Sequence, residues 1–365
     1  MINVVADKDI PYLDKVFSNS KNYQLNKLSF DEITNFALRE ADALLSRSAT
    51  PLNGDLLEGT KVKFIGSLTS GEDHIDFNEI NSLDIEVITA KGCNAQAVTE
   101  YVMDALSVSK EKRIGLIGEG FVGRKLKNIL DAYGYDTKSY DPYIKNDDKN
   151  ILEEVLNFPI ISVHSSYSKN GKYPSHNLVS NLKDNQILIN TSRGEIVDYQ
   201  SIHCSSDATL ICDVWNNEPD LSLEDIPNTF RSTPHIAGNT IEAKTQALNE
   251  ISKKLCNFFE AQDLIMVKPE METLELDIKM LDETFEKNSI PTDVIDLFSP
   301  CNKLSSLFKK NMKDIKSEEN FPKIFQKIRK NFERKGFGEY SLSIKGIKPS
   351  QAELITLLGF KIHKQ

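Results

Sequence analysis

The stretch Arg113-Ile-Gly-Leu-Ile-Gly118-Glu-Gly120-Phe121-Val122-Gly123-Arg-Lys-Leu126 constrains the fold more than any other. Ile114 to Ile117 form a short apolar run, as in a buried parallel strand, and lead without a break into G-x-G-x-x-G. After Gly123, the residues Leu126, Ile129, Leu130 and Tyr133 recur at helical spacing. Each glycine of such a strand–turn–helix has its own reason. Gly118 permits the tight bend, Gly120 admits a pyrophosphate close to the backbone, and Gly123 lets the helix pack on the strand. The first helical turn, with Phe121 and Val122, offers unpaired N–H groups and a positive dipole end to phosphates. A second strand, Thr137 to Tyr140, ends in Asp141, 18 residues beyond Gly123. A carboxylate there accepts from ribose hydroxyls and repels the extra phosphate of NADP, so the expected cofactor is NAD. An ordinary glycine turn in an α/β protein is the alternative; strand, helix and acid together weigh against it.

The same alternation organises the chain on both sides. Residues 1–93 carry apolar strand segments at Ile2–Val5, Ala43–Leu45, Val62–Gly66 and Ile85–Thr89, with helical patterns such as Phe30–Ala41 between them. Two strand ends are followed by small polar groups, Ser46-Arg47-Ser48 and Ser67-Leu-Thr69-Ser-Gly71. Ligands of open α/β sheets bind at the carboxyl ends of strands, so Ser48 and Thr69 are candidate substrate contacts; plain turn chemistry is the alternative. Ala95–Val108 reads as a long amphipathic helix into a second domain, 94–238, with strands at 114–117, 137–140, 160–163, 186–190 and 209–213. Ile241–Glu260 reads as one long helix, in a segment 239–270 expected to pack back on the first domain. From about 271 to 365 Lys and Glu become dense and the ligand-facing pattern stops. Asp293–Leu297 reads as a strand, 321–333 as a helix, Tyr340–Ile344 as a strand and 350–358 as a helix, a small α+β module.

Composition excludes several function classes. No stretch of 18 apolar residues suits a membrane span, and no basic-then-apolar leader opens the chain. The net charge of −10 argues against a nucleic-acid partner. It also requires local cations wherever an anionic substrate is held. The five cysteines (93, 204, 212, 256 and 301) are scattered and lack a C-x-x-C pair, so they read as reduced, buried thiols of a cytoplasmic protein, neither disulfides nor a zinc site.

Three downstream segments hold reactive groups: Ile189-Asn-Thr191-Ser192-Arg193-Gly-Glu-Ile-Val-Asp198, Asp213-Val-Trp-Asn-Asn-Glu218-Pro and Thr233-Pro-His235-Ile-Ala-Gly238. Taking a hydride from a hydroxyl-bearing carbon needs a base for the hydroxyl proton and a cation for an adjacent carboxylate. His235 suits the first task because an imidazole titrates near working pH. Glu218 can fix its tautomer, and Arg193 offers a planar fork matched to a carboxylate. Singly, each has a structural reading: a loop histidine, a helix boundary, a solvated arginine. The order Arg–Glu–His downstream of a dinucleotide turn lifts the set.

These segments, with the glycine turn, resemble the D-isomer-specific 2-hydroxyacid dehydrogenase family. Ala41–Ser48, Phe64–Asp76 and Lys91–Ala95 extend the similarity, and Phe325–Lys335 with Leu358-Gly-Phe360 are similar to a C-terminal dimerisation domain that only one branch carries. The resemblance implies two Rossmann-like doubly wound domains, for substrate and NAD, plus that small module in a homodimer. It implies catalytic roles for Arg193, Glu218 and His235, and places Gly118, Gly120, Phe121, Val122, Gly123, Asp141, Ser165, Thr191, Ser192, Asp213 and Gly238 around NAD. It implies Ser48 and Thr69 as substrate contacts, with Asn239 where that branch has a tyrosine. The implied reaction oxidises the C2 hydroxyl of a phosphorylated four-carbon 2-hydroxy acid. For the phosphate the candidates are Arg47, Arg334 and Lys335. A sister dehydrogenase for another acid, such as glycerate 3-phosphate, and a non-catalytic NAD-sensing scaffold stay open. Two local features depart from the pattern: a shortened Ser107–Arg113 segment, and Glu119 inside the turn, tolerable with its side chain pointing outward.

Overall fold

The computed structural model describes residues 1–144, 149–167, 178–221, 229–277, 292–299, 301–314, 321–332 and 334–363. They form two compact units, Met1–Asn94 with Ile241–Glu270 and Ala95–Thr240 with Met271–Gln365.

The first unit holds a parallel sheet of β1 (Ile2–Asp7), β2 (Tyr23–Leu28), β3 (Ala43–Ser46), β4 (Phe64–Ser67) and β5 (Glu86–Thr89), in the order β2-β1-β3-β4-β5. Alternate side chains serve opposite faces, as the two-residue strand period requires. Val4, Ala6, Leu45 and Phe64 meet Leu248, Ile251 and Leu255 of the helix Ile241–Phe258, while Val5, Leu44 and Ile65 meet Leu38, Leu57 and Ile80. The parallel register sets Ser46 beside Ser67 and Ser67 beside Thr89, which aligns the carboxyl ends.

The second unit contains β6 (Arg113–Ile117), β7 (Asp136–Tyr140), β8 (Ile160–Val163), β9 (Ile187–Asn190), β10 (Thr209–Cys212) and β11 (Arg231–Ser232), all parallel, in the order β11-β10-β9-β8-β6-β7. Chain order reverses between β6 and β8, the switch point where doubly wound sheets bind ligands. The glycine turn leaves β6 there.

Beyond residue 270, β12 (Glu272–Asp277), β13 (Tyr340–Lys345) and β14 (Lys361–Ile362) form a third, parallel sheet. This tail, expected as a module of its own, shares cores with the dinucleotide domain. Val294, Ile295, Phe337 and Phe360 cluster with Tyr101, Met103 and Ile129. Phe308, Phe321 and Phe325 cluster with Trp215 and Ile236.

Four local expectations change. Phe30–Ala41 is helical only over Asn35–Leu38; Phe30 and Phe36 face solvent, so no apolar stripe binds a longer helix to the sheet. Asp293–Leu297 lies in a helix, Thr292–Phe298, because Val294, Ile295 and Phe298 bury one helical face rather than alternate. Strands β2 and β12 carry no apolar strand pattern, because YQLNKL and ETLELD are largely polar and lie at sheet edges. Cys204 is exposed, whereas the other four cysteines are buried.

One buried charge pair links three elements of the second unit. The Arg231 guanidinium, fully buried, donates from Nη1 to Asp104 Oδ2 at 3.0 Å and from Nε and Nη2 to Asn302 Oδ1 at 3.1 and 2.7 Å. Asp104 is on the helix Ala95–Leu106 and Asn302 on the tail helix Cys301–Lys313. Asp104→Ala strands a buried cation and is expected to cost about 3–5 kcal/mol in urea unfolding. A loss below about 1 kcal/mol would show the pair to be dispensable.

Candidate active site

The glycine turn is shaped as a phosphate cradle. Gly118 sits at φ +103°, where a Cβ would come within 2.7 Å of the His164 backbone, and a Cβ on Gly123 would lie 1.9 Å from the Gly118 carbonyl oxygen. Above Gly120 the space is open, with nothing within 4 Å of a Cβ position. Gly120 is the N-cap of the helix Phe121–Ala132, and no side chain caps it, so its first N–H groups are left for an anion. Phe121 is exposed and Val122 half-buried. At the end of β8, Ser165 Oγ is buried without a protein partner. An open cradle and an orphaned hydroxyl fit a bound dinucleotide.

Asp141 is buried at the end of β7 and accepts from the backbone N–H of Glu119 at 2.8 Å and of Tyr143 at 2.9 Å. It therefore braces the turn as well as charging its rim. Glu119 does not point outward: its side chain is buried and accepts from the Ser139 hydroxyl. Beneath the turn His164 bonds Ser162 Oγ at 2.8 Å through Nε2 and Thr191 Oγ1 at 3.3 Å through Nδ1. Burial pushes its pKa down to about 3, so this histidine is neutral.

His235 and Glu218 are paired. Nδ1 of the imidazole lies 2.6 Å from Glu218 Oε2, and Glu218 Oε1 accepts from Trp215 N–H at 2.7 Å. Burial alone would raise the carboxyl pKa; His235, Arg329 and the Trp215 N–H outweigh it, and the pKa is held below the ordinary value. An ionised carboxylate fixes Nδ1 as donor and leaves the Nε2 lone pair free to take a proton. Backbone geometry is unusual on both sides: His235 has φ +56°, Asn217 φ +59°, and the Glu218–Pro219 bond is cis.

Asp213 holds this arrangement. Its buried carboxylate accepts from Thr233 Oγ1 at 2.6 Å, Ile236 N–H at 2.8 Å and Ala237 N–H at 2.7 Å. These bonds all serve the loop carrying His235, so Asp213 clamps that loop. Arg193 follows Ser192 at the end of β9, and its Nη1 donates to the Ser192 carbonyl at 2.7 Å. Gly194 is pressed against the Trp215 backbone so closely that a Cβ would lie 2.0 Å from its carbonyl carbon. That contact brings the Arg193 segment onto the Glu218 segment. Ser192 is buried and bonds Asn190 Oδ1 through both N–H and hydroxyl. Gly238 is half-buried beside Asn239, whose Nδ2 donates to the Phe332 carbonyl at 3.4 Å, tying the loop to the tail.

The first unit carries the expected substrate contacts. Ser48 is exposed in the turn after β3. Thr69 Oγ1 donates to the Gly71 carbonyl at 2.8 Å and lies 2.9 Å from Ser67 Oγ, itself 2.9 Å from His74 Nε2. Arg47 is half-buried and already bonded to Asp7 at 2.9 and 3.1 Å and to Asp9 at 3.0 Å. Two further hydroxyls, Ser46 Oγ and Thr50 Oγ1, are buried there without partners. Arg334 is not a free cation: it is 3% exposed and bonds Glu100 and the carbonyls of Ala97 and Ala237. Lys335 is exposed and paired with Glu272 at 2.7 Å.

The profile of the D-isomer specific 2-hydroxyacid dehydrogenase catalytic domain matches residues 1–267. A relative from Hahella chejuensis named erythronate-4-phosphate dehydrogenase is 38% identical over 70% of this chain and 72% of its own length. One of the same name from Cellvibrio japonicus is 32% identical over 99% and 100%. Among solved structures, NAD+-bound 3-phosphoglycerate dehydrogenase of Entamoeba histolytica superposes with TM-score 0.60 at 23% identity, covering 72% of this chain and 98% of that one. D-lactate dehydrogenase of Aquifex aeolicus gives 0.57 at 19% identity, over 73% and 99%. With its glycine cradle, its Glu–His pair and a profile match across most of its length, the chain belongs to the D-isomer-specific 2-hydroxyacid dehydrogenase family.

Proposed function

We propose that this protein oxidises 4-phospho-D-erythronate at C2 to (R)-3-hydroxy-2-oxo-4-phosphooxybutanoate with NAD, a step toward pyridoxal 5'-phosphate. The observation that carries the reading is the similarity to the Cellvibrio japonicus enzyme over 99% of the chain. The family profile ends at residue 267, whereas this match includes the tail.

The residues divide the work. The Arg193 guanidinium holds the substrate carboxylate and polarises the carbonyl as it forms. His235 Nε2 takes the hydroxyl proton, and Glu218 at Nδ1 stabilises the resulting imidazolium. Gly118, Gly120 and Gly123, the uncapped helix N-terminus, Ser165 and Thr191 hold the dinucleotide, which when bound accepts the hydride. Asp141 and Glu119 put two carboxylates at the rim where a 2'-phosphate would sit. Ser48 and Thr69 contact the substrate, and Asn239 stands near it with a shorter reach than a tyrosine. Arg47 remains the candidate for the phosphate, through donors not bound to Asp7 and Asp9. The protein works as a homodimer in the cytoplasm; apolar tail side chains that face solvent, Leu297, Leu307 and Leu357, support the first point. Among the described residues, no helix is long and apolar enough to cross a membrane.

A panel of phosphorylated and unphosphorylated three- and four-carbon hydroxy acids, followed by the absorbance of reduced nicotinamide, tests the substrate. Turnover should be fastest with the phosphorylated four-carbon acid. Preference for glycerate 3-phosphate would move the protein to a sister activity, and cofactor binding without turnover on any acid would make it a scaffold. His235→Ala should lower kcat by about 10²–10⁴-fold and leave NAD affinity nearly intact, measured by titration calorimetry; near-normal turnover would mean the base lies elsewhere. Asp141→Asn keeps the side-chain shape but removes its charge, and should relax the NAD-over-NADP binding ratio by about tenfold, the effect of ~1.4 kcal/mol of repulsion. An unchanged ratio would leave Asp141 with its bracing role only.

A further inference from the structure

We propose that Arg329, on the tail helix Phe321–Asn331, is a positioning residue for the His235–Glu218 pair: it anchors the histidine's backbone and supplies the cation against which the pair titrates. The inference rests on the reading of His235 as the proton acceptor, and it assigns the tail a part in that site.

Arg329 Nε donates to the His235 carbonyl oxygen at 3.2 Å. That carbonyl belongs to a non-glycine residue in the left-handed region, a conformation that persists only where surrounding bonds hold it. The N-terminal side of the bend is fixed by His235 N–H on the Asp213 carbonyl at 2.7 Å, and the residues after it by the Asp213 carboxylate. Arg329 holds the carbonyl between them. Its own helix is secured from below, with Phe321, Phe325 and Ile328 buried. Phe325 contacts Phe308 at 6.2 Å between ring centres, and Phe308 contacts Trp215 at 6.1 Å. Trp215 N–H in turn binds Glu218. The aromatic chain thus ties the arginine's helix to Glu218, while the arginine itself holds His235.

Charge follows from the same placement. A guanidinium near a carboxylate favours its ionised form, and near an imidazole it opposes protonation. At Glu218 the arginine is among the groups that hold the carboxyl below its ordinary value, so the carboxylate stays ready to fix Nδ1 as the donor. The other charged groups around the pair come from four segments. Asp213 closes on the loop backbone, Arg334 binds the Ala237 carbonyl, and Glu100 is paired with Arg334 at 3.4 Å. Arg193 enters from β9, beside Gly194. Arg329 lies beyond residue 267, where the family profile ends.

The test is the NMR titration of the His235 ring in the NAD-free protein, comparing wild type with Arg329→Met, Arg329→Gln and Arg329→Lys. Met and Gln remove the charge, and Gln keeps a donor. Both should move the pair's upper titration step to higher pH, by about half to one unit. Lys should return it most of the way. In steady-state assays the rising limb of kcat/KM against pH should move in the same direction, since activity requires the unprotonated imidazole. Arg329 is merely structural if Met and Gln titrate like wild type, or if Lys shifts as far as Met. Should Met fail to fold, Gln against Lys decides the question. Absence of turnover in wild type would refute the enzymatic reading and leave the NMR comparison intact.

Discussion

The carboxylate of Asp213 is the constraint on which the site depends. It is 1% exposed, and burying a charge is costly unless donors surround it. Here the donors are two consecutive backbone N–H groups, Ile236 and Ala237, and the Thr233 hydroxyl, which Tyr101 approaches at 2.7 Å. Satisfying Asp213 therefore fixes the peptide planes immediately after His235. A non-glycine residue at positive φ costs on the order of 1–3 kcal/mol, and charge-assisted bonds of this kind can offset that. Catalytic geometry and core stability are thus the same set of bonds.

Around that clamp the second unit joins its segments through buried polar links rather than apolar contact alone. Asn190 Nδ2 bonds the Tyr199 hydroxyl and the Arg193 carbonyl, and Tyr199 donates to the Val214 carbonyl. The ends of β9 and β10 are thereby held together. Arg231 with Asp104 and Arg334 with Glu100 do the same for the tail. Such pairs are costly to break singly, because the partner left behind is a buried charge. They tie the tail to the helix Ala95–Leu106 and to the His235 loop, so its packing and the site's geometry are coupled.

The site was legible where chemistry is written as short motifs. Arg193, Glu218 and His235 could be found because each sits in a loop or at a strand end, within a distinctive run of neighbours. The glycine turn was legible because G-x-G-x-x-G follows an apolar run and precedes helical periodicity. Arg329 was not legible as a site residue: inside Lys-Ile-Arg-Lys-Asn it looks like any solvated basic face, and only its bond to the His235 carbonyl distinguishes it. Arg334 misled in the opposite direction, since nothing local signals that its guanidinium is buried against Glu100.

By itself the sequence determined the parallel strand–helix alternation, the dinucleotide turn and the reactive groups, because each is encoded by periodicity or spacing within about twenty residues. The tertiary structure decided which carboxylates work as clamps and which as rim charges, where the tail's apolar faces go, and which cations stay available. Those outcomes depend on burial and on partners up to a hundred or more residues away, as between Arg231 and Asp104, and no local pattern carries that information.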